Sequence, residues 1–253
     1  MYRVDLNCDL GESFGAYTIG RDEEVLSYIS SANVACGFHA SDPYVMSETV
    51  RRAKGRGVRV GAHPGYPDLV GFGRRNLTVS PKELKAMVQY QIGALSAFFR
   101  AEGIFLQHVK PHGAMYNMAA KDERLAVAIC DAVASFDENL ILVGLAGSRL
   151  LSAAKGMGLR YASEVFADRA YEDDGSLVSR TKPGAMITDE DDAISRVVTM
   201  IREGYVVSVN GNRVPVRADT VCLHGDSPTA VAFAKKIRGT LLSQGIQIAP
   251  LQP

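Results

Sequence analysis

Val4-Asp5-Leu6-Asn7-Cys8-Asp9-Leu10-Gly11-Glu12 alternates apolar and polar residues with a period of two. In an extended strand that period puts Asp5, Asn7 and Asp9 on one face and Leu6 and Cys8 on the other. The apolar face suits packing against helices. The polar face then belongs inside a closed or nearly closed sheet.

The rest of the chain supplies such a sheet. Six more strand-like apolar runs occupy residues 32–36, 58–62, 105–110, 140–145, 161–167 and 220–224. Helical patterns separate most of them. An Asp42-Pro43 start opens a helix that stops at Gly55 or Gly57, and Ser80-Pro81-Lys82-Glu83 is a capping box with proline in its first turn. Further helices are expected over 22–30, 122–136, 148–155, 189–203 and from Ser227-Pro228 to near Gly245. Residues 205–209 and 213–216 flank Asn210-Gly211, a hairpin turn signal. Strand-then-helix order implies parallel strands joined by right-handed crossovers. The leading architecture is a seven-stranded parallel β/α barrel over residues 1–253 as one domain; a doubly wound open sheet is the alternative.

Polar residues collect at the strand ends. Asn7, Asp9 and Glu12 follow the first strand, His39 the second, His63-Pro64-Gly65 the third, and Lys110 and His112 the fourth. Asp168 and Arg169 follow the sixth, and His224 and Asp226 the last. Only the fifth strand lacks a titratable group there. In parallel β/α folds the carboxyl ends of the strands form one rim, where active sites sit. Each residue has a plainer role open to it: a helix cap for Asp9, Glu12 or His39, a loop hydrogen bond for His63, a turn anchor for His112, a structural pair with a buried carboxylate for Lys110, a surface pair for Asp168 and Arg169, and a satisfied core histidine for His224. Those plainer roles require six coincidences on one face. His108, one turn earlier in its strand, is read as structural.

Two chemistries suit such a rim. Asp9, His39 and His63 could bind a divalent metal that activates water. Alternatively a His or Asp acts as general base while Lys110 and Arg169 stabilise an oxyanion or phosphate. Gly71-Phe72-Gly73 before Arg74-Arg75 offers a weak anion nest, and Arg180 and Lys182 lie in a long loop, 168–188, able to close over an anionic substrate. His108-x-x-x-His112 has zinc-like spacing but falls on a strand and Pro111 rather than a helix.

Composition limits the partners. With 28 basic and 28 acidic residues the net charge is zero, which argues against nucleic acid or acidic lipid as a ligand. The N-terminal residues lack a signal-peptide pattern and no apolar run suits a membrane span. The four cysteines form no C-x-x-C pair and read as buried free thiols of a cytoplasmic protein.

Seven motifs resemble the LamB/YcsF family: Asp5-Leu6-Asn7-Cys8-Asp9-Leu10-Gly11-Glu12, Ala35-Cys36-Gly37-Phe38-His39-Ala40, Gly61-Ala62-His63-Pro64-Gly65-Tyr66-Pro67-Asp68, Gly71-Phe72-Gly73-Arg74-Arg75, Val109-Lys110-Pro111-His112-Gly113-Ala114, Glu164-Val165-Phe166-Ala167-Asp168-Arg169 and Leu223-His224-Gly225-Asp226. The resemblance runs from about residue 3 to 250. It implies a barrel of the glycoside hydrolase/deacetylase type and the A-subunit role in prokaryotic 5-oxoprolinase. That role is ATP-dependent opening of 5-oxo-L-proline to L-glutamate, with partner subunits B and C. ATP is then the cofactor; whether a divalent metal such as Mg accompanies it is left open. Asp9, His63, Lys110, His112, Asp168 and Arg169 are the expected catalytic residues. Asn7, Glu12, His39, Arg74, Arg180, His224 and Asp226 are expected to bind substrate. Ser41 and Met115 depart from the family's expected Gly and Leu. The competing readings are a stand-alone metal-dependent deacetylase or amidohydrolase, and a non-catalytic substrate-binding subunit.

Overall fold

The computed structural model describes residues 2–223 and 230–252. In chain order the elements are β1 (Arg3–Leu10), α1 (Asp22–Val25), β2 (Ser31–Ala35), α2 (Pro43–Gly55), β3 (Arg59–His63), α3 (Pro81–Glu102), β4 (His108–Val109), α4 (Gly113–Ala119), α5 (Glu123–Phe136), β5 (Ile141–Leu145), α6 (Arg149–Gly156), β6 (Tyr161–Phe166), α7 (Glu190–Glu203), β7 (Tyr205–Val207), β8 (Arg213–Pro215), β9 (Thr220–Leu223), α8 (Ala230–Ser243) and β10 (Gln247–Ile248). Seven strands close a parallel barrel in the order β1-β2-β3-β4-β5-β6-β9, with β9 pairing back onto β1. The antiparallel β7–β8 hairpin lies outside it. No helix among the described residues is long and apolar enough to cross a membrane.

The alternation of β1 decides what faces where. Leu6, Cys8 and Leu10 are fully buried with Val34, Val60, Val109 and Leu142 in the apolar layer between barrel and helices. Each such aliphatic side chain contributes about 1.5–3 kcal/mol when fully buried. Asp5 and Asn7, of opposite parity, are equally buried but lie in a polar interior. β5 departs, its Ile141 and Val143 forming a small apolar cluster with Ala162 of β6.

Local signals set the helix starts. Asp42 accepts from the backbone N–H of Tyr44 and Val45 at 2.8 and 3.0 Å. The Ser80–Glu83 capping box is complete, and α3 ends at Gly103 in the left-handed region. From α3 the buried Gln91 grips both the N–H and the C=O of Gly65 at 2.9 Å, fixing the loop after β3. Ser41, where the family pattern expects glycine, adopts a φ of +76°, the region that glycine enters without strain.

The chain differs from expectation in four places. The helix expected over 22–30 is one turn, α1. The strand expected over 105–110 is only β4, because Phe105 is 87% exposed and Pro111 has no N–H to continue the ladder. Even so, Gln107 and Lys110 donate to Val60 and Ala62 of β3 at 3.0 and 2.9 Å. Helix α4, too short to show a period, and β10, which pairs with the start of β1, are additional. The expected start of the last helix at Ser227-Pro228 lies outside the described residues.

One row of the barrel is held by a missing side chain. Asp9, Asn33, Gly61 and His108 share a register, and a Cβ on Gly61 would lie 2.2 Å from the His108 ring. Gly93, within α3, has nothing within 4 Å of such a Cβ. Gly61→Ala should therefore lower stability by about 2 kcal/mol or more, whereas Gly93→Ala should raise it by about 0.5–1 kcal/mol. Urea unfolding checks both; equal effects at the two sites would contradict the packing described.

Candidate functional site

The barrel floor is built around Lys110. Its Nζ lies 2.9 Å from Asp9 Oδ1, 2.8 Å from Glu164 Oε1, 3.2 Å from Asn7 Oδ1 and 3.1 Å from Cys222 Sγ. Burial opposes the ammonium most strongly, but Asp9, Cys222 and Glu164 together reverse that and hold its pKa well above the ordinary value. Asn33 Nδ2 donates to Asn7 Oδ1 at 2.7 Å and to Asp9 Oδ1 at 2.8 Å. Asn7 Nδ2 donates to Glu164 Oε1 at 3.0 Å, and the Tyr116 hydroxyl to Glu164 Oε2 at 2.7 Å. Below them Asp5 accepts from the hydroxyls of Ser30, Ser31 and Thr220 at 2.6–2.7 Å. Burial raises its pKa despite these donors. Burial also pushes His108 down to about 3, so it is neutral and donates from Nε2 to Asn33 Oδ1 at 2.7 Å. That is the structural role expected of it.

Three histidines gather beside this floor. The His39 and His112 rings stack at 3.7 Å, and His63 meets both edge-on. His63 Nδ1 is 2.7 Å from the Lys110 carbonyl, and His112 Nε2 is 2.8 Å from the Phe72 carbonyl. A carbonyl only accepts, so each of these nitrogens carries the proton. In the neutral tautomers of both rings, the lone pairs of His63 Nε2 and His112 Nδ1 face one another across 2.9 Å. Glu12 Oε1 lies 3.4 Å from His112 Nδ1 and 3.2 Å from His39 Nε2, while Asp9 Oδ2 lies 3.3 Å from His63 Nε2. Burial lowers the pKa of His39 and His112 well below the usual imidazole value, keeping both neutral. One donor atom each from Glu12, His39, His63 and His112 lies within 4.8 Å of all the others, a constellation of metal-ligand type.

Backbone geometry fixes these rings. Phe72 and Gly73 have φ of +54° and +63°. For Phe72 that conformation costs about 1–2 kcal/mol, and it accompanies the carbonyl that orients His112. A Cβ on Gly73 would lie 2.7 Å from His39 Cβ and 2.9 Å from His112 Cδ2, and one on Gly65 2.6 Å from His39 Nδ1. The weak anion nest read at 71–73 does not form, because the N–H groups of Gly71, Phe72 and Gly73 donate to Asp68 and Leu69; the loop instead seats two imidazoles. Arg75 is engaged by Asp68 on the surface, while Arg74 packs over the Phe72 ring at 4.9 Å.

Above the floor opens a cavity of about 850 Å³. Asp9, Glu12, His63, Lys110, His112 and Tyr116 line its base, and Arg74, Lys121, Arg169, Arg180 and Lys182 its walls. The 168–188 loop is ordered by bridges Arg169↔Met186 and Tyr171↔Leu177 and by packing of Ala170, Val178 and Ala185. Arg169 donates to the Val178 carbonyl at 2.6 Å, and burial lowers its pKa to about 10. Lys182 pairs with Glu172 at 3.0 Å.

Eight of the expected site residues thus line one cavity: Asp9, Glu12, His63, Arg74, Lys110, His112, Arg169 and Arg180. Asn7 and His39 are buried behind its wall, so their contacts are with other site residues, and Asp168 does not line it. His224 and Asp226 lie outside the described residues. In place of the expected Asp9–His39–His63 trio, the cluster joins Glu12 and His112 to His39 and His63, while Asp9 pairs with Lys110 and lies 3.3 Å from His63. Sequence reasoning passed over Asn33 and Tyr116, and gave Glu164 a shared face with Asp168 but no role in the site. A polar amide or carboxylate inside the otherwise small or apolar strands Ser31–Ala35 and Tyr161–Phe166 was the available signal for Asn33 and Glu164. Cys222, expected only to pack, touches the ammonium.

Fold and site together define a parallel β/α barrel with an ionised, cation-walled cleft at the carboxyl ends of its strands. The chain belongs to the LamB/YcsF family, which matches residues 4–253. It is 63% identical over 251 residues to a Clostridium beijerinckii protein named as the A subunit of 5-oxoprolinase, covering 99% of this chain and 98% of that one. The crystal structure of a lactam utilization protein from Thermus thermophilus matches with a TM-score of 0.93 and 49% identity, over 98% of this chain and all of that one. The catalytic domain of a peptidoglycan N-acetylglucosamine deacetylase from Eubacterium rectale matches with a TM-score of 0.53 at 11% identity, over 99% and 89% of the two chains. That last likeness is one of fold.

Gly73→Ala tests the loop's role. It should cost about 1–3 kcal/mol by overpacking and should shift the ring resonances of His39 and His112 in NMR spectra. Unmoved ring signals would show that the loop does not seat them.

Proposed function

We propose that this chain is the A subunit of an ATP-dependent 5-oxoprolinase, opening the lactam of 5-oxo-L-proline to L-glutamate while ATP is hydrolysed to ADP and phosphate, together with subunits B and C. The observation that carries this reading is the Lys110 ammonium on the floor of a cation-walled cavity, with the Asp9 carboxylate beside it. The names of its full-length relatives direct that chemistry to a lactam.

An unstrained lactam carbonyl is a poor electrophile, and glutamate recyclises readily. Phosphorylation of the amide oxygen from ATP answers both difficulties. On this reading Asp9 takes the proton of the attacking water, with His63 beside it. Lys110 and Arg169 balance the charge of the phosphorylated tetrahedral species, and the neutral His112 ring steadies it. Their value there is preorganisation: Lys110 is already held by Asp9 and Glu164, so little reorientation accompanies charge development. Arg74 and Arg180 attract the anionic substrate, Glu12 and His39 hold the histidine cluster in register, and Asn7 positions Lys110. Among the described residues the donors include no nucleotide-binding glycine loop, and the cavity is several times larger than the volume of a five-membered ring. Both features suit a site that receives a phosphorylated substrate, or the part of a partner protein that delivers it.

Reconstitution tests the reading. The chain combined with its B and C partners should release glutamate from 5-oxoproline only when ATP is present. Lys110→Ala should lower that turnover at least a hundredfold while its far-ultraviolet circular dichroism stays native. Undiminished turnover in the variant would overturn the role of Lys110, and glutamate release by the chain alone without ATP would overturn the reaction.

A further inference from the structure

We infer that Glu12, His63 and His112 bind one divalent transition-metal ion of the zinc class, with His39 as the residue that positions Glu12. The inference stands on geometry and does not depend on the lactam reading.

Two nitrogens face each other with their protons committed elsewhere. His63 gives its Nδ1 proton to the Lys110 carbonyl, and His112 gives its Nε2 proton to the Phe72 carbonyl. The remaining lone pairs, on His63 Nε2 and His112 Nδ1, are 2.9 Å apart. Two bare lone pairs repel at that distance, and both rings are fixed in place. His63 is buried in β3, and His112 is stacked on His39 and fenced by Gly73. A cation between them turns the repulsion into ligation. Ligands about 2.0–2.1 Å from a common centre stand about 2.9 Å apart at right angles and about 3.4 Å apart at the tetrahedral angle. The His63–His112 and His112–Glu12 separations are 2.9 and 3.4 Å.

His39 is different. Its Nδ1 is buried without a hydrogen-bond partner among the described residues. The proton therefore sits on Nε2, where the Glu12 carboxylate 3.2 Å away accepts it. Metal ligation through Nε2 would move that proton to Nδ1, which has no acceptor. His39 thus orients the carboxylate, as the Lys110 and Phe72 carbonyls orient the two ligating rings; such outer partners typically change metal affinity by 10–100-fold. Two imidazoles and one carboxylate, with the remaining positions open toward the cavity, form the ligand set of a catalytic rather than a structural site. A bound ion of this class supplies a water of lowered pKa and polarises an oxygen of the ligand.

The test is calorimetric titration of the chelator-treated chain with zinc chloride, without substrate or partner proteins. One equivalent should bind. His63→Gln and His112→Gln should each weaken binding at least a hundredfold, and His39→Asn about tenfold with stoichiometry unchanged. Should the variants misfold, the unmodified chain gives the answer by long-range 15N NMR: zinc should shift His63 Nε2 and His112 Nδ1 and leave the His39 Nδ1 signal in place. Absence of stoichiometric binding, or ring nitrogens that do not respond to zinc, overturns the inference and identifies the 2.9 Å contact as a shared proton. Either result leaves the ATP-dependent assay of lactam opening free to succeed or fail by itself.

Discussion

The Lys110 ammonium, sealed inside a barrel between Asp9 and Glu164, is the interaction on which the rest of the site depends. Moving one unpaired charge into such surroundings costs several kcal/mol, and two carboxylates at 2.8 and 2.9 Å reverse that cost. Each carboxylate is then constrained by the pair it makes. Asp9 keeps one oxygen on Lys110 and presents the other to His63; Glu164 binds Lys110 with one oxygen and the Tyr116 hydroxyl with the other. The Lys110 carbonyl, on the same residue, fixes the His63 ring. One side chain and its own backbone therefore couple the ionised floor to the histidine cluster.

A barrel does not need this for stability. Ile141 and Val143 show that a strand of this protein can fill the interior with aliphatic side chains, and buried ion clusters are commonly no more stabilising than an apolar filling of similar volume. Keeping a charged floor under a cation-walled cavity makes sense as preorganisation for chemistry. The strained φ of Phe72 has the same logic, since local strain accompanies the carbonyl that orients His112.

Much of this was legible in the sequence because strand alternation is strict. Asp5, Asn7 and Asp9 had to share a face, as did His108 and Lys110, and parallel topology brought the strand ends to one rim. What escaped had weaker signals. Asn33 and Glu164 sit within mostly apolar strands, where a polar residue is easily taken for a tolerated exception. Tyr116 sits on α4, only seven residues long, which leaves no hydrophobic period to detect. The Phe72 carbonyl has no side-chain signature at all. Asn7 and His39 were expected at the rim and lie buried behind the cavity wall; register alone does not distinguish a wall from the layer behind it. Glu12 and His112 joined His39 and His63 because loop conformation after β1 and β4, which strand parity does not encode, turns them inward.

The most direct measurement is a double-mutant cycle between Lys110 and Glu164. Lys110→Met, Glu164→Gln and the double variant are compared with the unmodified chain by urea unfolding at neutral pH. If the barrel interior is organised by this ion cluster, the two substitutions are strongly non-additive, with a coupling energy of about 2 kcal/mol or more. Effects that add to within about 0.5 kcal/mol would mean that the pair is incidental, and the site would have lost the interaction proposed to organise it.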